Sequence, residues 1–153
     1  MNGTRLAYRF LAAAMVVTIS ACASSGPRGN DDAAAAAAAS TPPTEVLSPL
    51  LARPLPNVKG KTFTSAIVEF PPAARAAPHR HGQAFVYAYV LDGTVASRLE
   101  GEPVHTYHRG ENWVEKPGAH HVLTENTSRT QPAKLLVIFV SSTGAKLKVD
   151  DSS

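Results

Sequence analysis

The chain has 153 residues, of which 44% are apolar and 18% charged. That is enough apolar material for one globular domain, and it excludes a chain disordered throughout. Fifteen basic residues face twelve acidic ones with no concentrated basic run, which sets nucleic-acid binding aside. A single cysteine excludes a disulfide framework and a cysteine-rich zinc site.

Arg5 and Arg9 give the N-terminus a positive start, and an apolar stretch follows from Phe10 to Ile19. This pattern reads as an export signal, and it is shorter than the roughly 20 apolar residues a membrane-spanning helix needs. Without those two arginines the 15 basic residues fall to 13 against 12 acidic ones, close to neutrality. The sole cysteine, Cys22, closes the tetrapeptide Ile19-Ser20-Ala21-Cys22, which resembles the bacterial lipobox. The resemblance implies a lipoprotein signal peptide over residues 1–21, cleavage before Cys22 and acylation of its thiol. Lipid there would hold the protein on a membrane surface. Ala23, rather than Asp, follows the cysteine. By analogy with Gram-negative lipoproteins, this implies the outer membrane, facing the periplasm. Residues 22–44 then read as the lipidated cysteine and a tether rich in Ala, Ser and Pro. Its alanine run, Ala33 to Ala39, is too short to hold a helix unaided. As a flexible spacer the tether reaches about 25 Å.

From Glu45 to Val149 the chain reads as one all-β domain, with residues 150–153 as a tail. Strand-like runs are predicted at Phe63–Phe70, Ala84–Leu91, Thr94–Leu99, Pro103–His108, Trp113–Glu115, His121–Thr124 and Leu135–Val140. A last edge strand is expected within Ala145–Val149. Asp92-Gly93 is a hairpin signal, and turns fall at 109–112 and 116–118. The run Leu135–Val140 is apolar at every position, so both its faces are expected to be covered. Short strands at close spacing point to a sandwich or barrel.

Six histidines occur: His79, His81, His105, His108, His120 and His121. His79 and His81 are two apart, which on a strand puts both imidazoles on one face about 6–7 Å apart. One metal ion can bridge them, since each metal–nitrogen bond spans about 2 Å. Adjacent strand residues face opposite ways, so only one of His120 and His121 can join the same site. Spacing alone therefore gives a three-histidine site completed by either. His105 and His108 are expected to be solvated.

These residues resemble the cupin superfamily. Its first motif runs Gly, five residues, His-x-His, three or four residues, Glu, six residues, Gly; His79, His81 and Gly93 match it. Its second runs Gly, five residues, Pro-x-Gly, two residues, His, three residues, Asn; Gly110, Gly118 and His121 match it, with Lys116 where the motif has proline. The resemblance implies a single-domain double-stranded β-helix, or jelly roll, over 45–149, with His121 rather than His120 as third ligand. The departures carry weight: Val86 stands at the glutamate position, Ala73 at the opening glycine and Glu125 at the closing asparagine. The familiar carboxylate is thus missing, which leaves a divalent ion its full charge and favours an anionic ligand. The metal could be Fe, Zn, Cu, Ni or Mn, with imidazole favouring the softer ions over Mn. Gln83 and Glu115 are candidates to replace the carboxylate. Tyr87, Tyr89, Trp113 and Glu115 are candidate walls of a small-molecule pocket. By resemblance, three-histidine iron sites support dioxygen chemistry, so a lipid-anchored dioxygenase or isomerase is expected, with a homodimer as its assembly. The competing readings are a metal or small-ligand sensor, and a structural cupin whose site has decayed.

Overall fold

The computed structural model describes residues 43–151. The signal segment, Cys22, the tether before Pro43 and the last two serines lie outside the described residues. Among those described there is no helix. Eleven strands follow in order: β1 Val46–Pro54, β2 Lys61–Phe70, β3 Arg75–Ala76, β4 His79–Arg80, β5 Phe85–Asp92, β6 Thr94–Leu99, β7 His105–His108, β8 Asn112–Glu115, β9 His120–Asn126, β10 Ala133–Ser142 and β11 Val149–Asp150. They form two antiparallel sheets. One has the order β1-β2-β10-β5-β8, the other β11-β4-β9-β6-β7, with β3 also paired to β9. This is the double-stranded β-helix expected from the motifs.

The strands form where apolar residues alternate. In β5, Val86, Ala88 and Val90 are buried while Phe85, Tyr87 and Tyr89 turn outward, the period-two pattern of a sheet with one covered face. Ala66, Val68 and Phe70 of β2 and Leu135, Val137 and Phe139 of β10 extend that inner surface. The opposite sheet presents a more polar inner face, with His79, Ser97, His121, Thr124 and Asn126 all buried. The site therefore lies between an apolar wall and a histidine-bearing one.

Three expectations need correction. Asp92-Gly93 is not a hairpin: β5 pairs with β10 and β8, whereas β6 pairs with β7 and β9. The turn carries the chain from one sheet to the other. Gly93 has φ 75°, and a Cβ there would lie 2.7 Å from the carbonyl oxygen of Pro132, so both conformation and space require glycine. The run Leu135–Val140 is covered on one face only, since Leu136, Ile138 and Val140 are half-buried. Finally β1, which holds Pro49 and Pro54 and is exposed along its whole length, was not expected as a strand. It has no alternation because neither face is covered, and as an edge strand it tolerates proline.

The two glycine and asparagine departures have local solutions. Ala73 adopts the left-handed φ of 58° that the motif's glycine would take freely. Glu125 pairs with Arg75 at 2.5 Å, while its neighbour Asn126 donates to the carbonyls of Phe70, Pro71 and Gln131.

Candidate metal centre

Antiparallel pairing builds the first half of the site. His79 of β4 and His121 of β9 are direct partners, so their side chains share a face. Their rings lie 5.1 Å apart. Arg80 pairs with His120 one step along and turns to the other face, where His120 Nε2 lies 2.7 Å from Asp151 Oδ2. The structure thus separates the adjacent histidines as strand alternation requires. His81 lies just beyond β4, yet its ring centroid is 4.8 Å from that of His79. The ligand atoms of His79, His81 and His121 all lie within 4.8 Å of one another.

Backbone carbonyls fix two of the three rings. His79 Nδ1–H donates to Ala77 O at 2.7 Å, and His81 Nδ1–H donates to Leu147 O. Each therefore keeps its Nε2 free as a ligand atom. Burial pushes the pKa of His79 down from 6.5 to about 4, and the neighbouring imidazoles add to this. Burial also lowers that of His81, against the pull of Glu115. Neutral imidazole is the form that binds metal. His121 differs: Ser97 Oγ and Thr124 Oγ1 each lie 2.8 Å from its Nε2, and its Nδ1 lies 3.0 Å from Glu115 Oε1. Facing a carboxylate, which only accepts, Nδ1 carries the proton and donates to Glu115, while Nε2 accepts from a hydroxyl.

Glu115 is the residue that answers for the missing carboxylate. It is 3% exposed, and its Cα partner across the β5–β8 ladder is Val86, the position where the motif has glutamate. Cross-strand partners share a face, so the carboxylate enters the same space from the neighbouring strand. Oε1 accepts from Trp113 Nε1–H at 3.2 Å. Oε2 lies 3.7 Å from His81 Nε2 and has no hydrogen-bond partner. Burial raises the pKa of Glu115, but the hydrogen bond with His121 and the nearby imidazoles outweigh it and hold the carboxyl below its usual range. A buried, ionised oxygen left without a partner is costly; a cation among the histidines would satisfy it. On this test the residues fit a divalent metal ion.

The other candidates separate. Trp113 lines the cavity and stacks at 4.8 Å on Tyr107. Tyr87 and Tyr89 lie half-buried on the far face of β5, outside the cavity lining. Gln83 is exposed in the turn after His81, because the strand ends at Arg80 and its alternation does not continue. His105 and His108 are exposed. The cavity is small, about 50 Å³, and is otherwise mostly apolar, with Phe139, Val137 and Leu135 among its lining beside the histidines. Sequence reasoning missed Ser97, Thr124 and the Leu147 carbonyl, which reach the histidines through pairings no local pattern encodes. It also missed Glu45 and Lys148 at the mouth.

Residues 66–139 match the family described as Cupin domain. No curated protein matches the chain. Among similar solved structures is an oxalate oxidase, 25% identical with TM-score 0.58 over 72% of this chain and 57% of that one. The DMSP lyase DddQ from Ruegeria pomeroyi is 19% identical with TM-score 0.57, over 70% of this chain and 51% of that one. An uncharacterized protein with a double-stranded β-helix domain from Klebsiella pneumoniae is 17% identical with TM-score 0.56, over 72% and 86%. The aligned region thus spans little more than half of the oxidase and lyase chains. Sheet order, the two histidine-bearing motifs and the match over residues 66–139 agree on the fold, a cupin-type double-stranded β-helix.

Proposed function

We propose that this cupin-type domain holds one divalent metal ion through His79, His81 and His121, with Glu115 supplying the carboxylate that Val86 lacks. The observation that carries this is the buried Glu115 Oε2, unpartnered and turned toward His81 Nε2. When bound, the ion supplies a Lewis acid that can polarise an oxygen ligand. The chain's own residues do the rest. Ala77 and Leu147 orient two imidazoles, and Ser97 and Thr124 can accept from His121 Nε2–H in the tautomer that leaves Nδ1 to a metal. The apolar wall of Val137 and Phe139 limits water.

In this reading the loaded site performs dioxygenase or isomerase chemistry on a small organic molecule. Support comes from the histidine cluster at an apolar cavity and from the use of this scaffold by oxalate oxidase and a DMSP lyase, an argument from fold alone. The proposed setting is the bacterial cell envelope, with lipid on Cys22 and a homodimeric assembly. Its support is the lipobox-like tetrapeptide and the family resemblance. A second reading is a metal-binding or sensor module without turnover. It is favoured by the same carboxylate, because three imidazoles and one carboxylate can close a tetrahedral shell.

Elemental mass spectrometry of the full-length chain tests the metal. About one ion per chain, lost in His81→Ala and His121→Ala, supports the centre. A folded protein that neither carries nor takes up metal contradicts it and leaves the barrel as a structural cupin. Oxygen uptake by the loaded protein separates the enzyme from the sensor.

A further inference from the structure

The mouth of the metal cavity carries one fixed cation. Lys148 is the sole lysine or arginine among the described residues lining the cavity. Its Nζ lies 2.6 Å from Glu45 Oε1 and 2.8 Å from Asp150 Oδ1. Thr44 Oγ1–H donates to the other Glu45 oxygen at 2.5 Å. The Glu45 side chain is 11% exposed and that of Lys148 27%, so the pair is partly withdrawn from water and the ammonium is desolvated enough to discriminate.

Glu45 also lines the cavity, but it does not belong to the barrel's packed core. It precedes β1, a strand exposed along its full length, and the residues before it are tied by a backbone bond from Arg75 N–H to Pro43 O. Its backbone is held on both sides, by that bond and by the β1–β2 pairing from Val46, so displacement of Glu45 is a rotation of its side chain away from Lys148. Lys148 is anchored differently. Asp150 keeps its second contact, and the neighbouring Leu147 carbonyl holds His81. The cation thus neighbours in sequence the carbonyl that holds a metal ligand, while its carboxylate partner lies outside the packed core, just before an exposed edge strand.

We propose that Lys148 is a carboxylate-recognising subsite of the metal cavity, that Glu45 occupies it in the free protein, and that a small organic carboxylate binds by displacing Glu45. This rests on the reading of the histidine cluster as the functional centre and names the ligand class that centre takes. The carboxylate of the ligand pairs with Lys148 and its remainder extends toward the histidines. The apolar lining between favours a short carbon chain over a more heavily charged molecule.

The test uses the full-length chain loaded with zinc, with succinate as the probe and its neutral diamide as the control. Trp113, the chain's one tryptophan, lines the cavity and reports binding by fluorescence. The proposal expects a saturable response to succinate and none to the diamide. Glu45→Gln removes the internal competitor and should tighten succinate binding roughly fivefold, and Lys148→Met should weaken it by at least that factor. Equal affinity in all three proteins, no binding in Glu45→Gln, or equal binding of the diamide would overturn it. Zinc content is measured on the same samples, and the titration is repeated on metal-free protein. Loss of zinc with the variant pattern intact counts against the metal centre alone; full zinc with a flat pattern counts against the Lys148 subsite alone.

Discussion

Acidification should unfold the metal-free protein earlier than its acidic residues alone require, because His79 is buried in its neutral form. Burial lowers its pKa from 6.5 to about 4 in the folded state, and the side chain sits in a residue only 5% exposed. The unfolded chain takes up the proton near pH 6.5, whereas the folded chain resists until about pH 4. Stability is therefore fully present above pH 6.5 and falls as the pH drops through the window from 6.5 to 4. At 1.36 kcal/mol per unit, the loss relative to pH 7 is about 2 kcal/mol at pH 5 and about 3 kcal/mol at pH 4. His81, also depressed by burial, adds in the same direction. Glu115, with its carboxyl held below the usual range, loses its contribution only at lower pH, so the slope above pH 5 belongs to the histidines. The assay is urea unfolding of chelator-treated protein at pH 7, 6 and 5, with His79→Asn beside it. Asparagine can still donate to Ala77 O but does not titrate, so the variant should lose much of the slope. A stability unchanged between pH 7 and pH 5, or a His79→Asn variant with the full wild-type slope, would refute the reasoning.

Further outcomes follow from the same geometry. Glu115→Val should lower metal affinity by more than about tenfold. The exchange Val86→Glu with Glu115→Val should recover most of it, because it returns a carboxylate to the same face with total volume kept; competitive titration against a chromophoric chelator reads both. Ser97→Ala with Thr124→Val removes the groups at His121 Nε2 and should weaken metal binding about 10- to 100-fold in the same titration. Ala73→Gly relieves a left-handed alanine. After allowing for the greater freedom of glycine in the unfolded chain, it should raise unfolding stability by about 0.5–1 kcal/mol in urea.

The sequence made the strands legible wherever a strand was apolar on one face. Thr94–Leu99 was read with its observed bounds, and β5 and β10 were placed to within a few residues, because alternation or an apolar run marks them locally. The proline-bearing β1 was illegible because no packing constrains it. The two-residue strands β3 and β4 were too short to show any period. Asp92-Gly93 announced a bend, but a bend does not say which strand lies beside which, and the partners of β5 were already β10 and β8. The histidine cluster was legible because alternation and motif spacing are local properties. What completes it was harder to read. Glu115 stood out only by its phase with Trp113; its place opposite Val86 is a matter of register between strands nearly 30 residues apart. The Leu147 carbonyl reaches His81, and Lys148 and Glu45 reach the cavity, from the two ends of the domain, and nothing in their own neighbourhoods marks them.

The central claim is a metal held by three imidazoles and the displaced carboxylate of Glu115. X-ray absorption at the edge of the bound metal tests it most directly. Zinc-loaded protein should show about three imidazole nitrogens near 2.0–2.1 Å and at least one oxygen near 2.0–2.2 Å. In Glu115→Val the imidazole scattering should persist with the oxygen shell changed. A shell of oxygens without imidazole scattering, or a spectrum identical in the variant, would contradict the account.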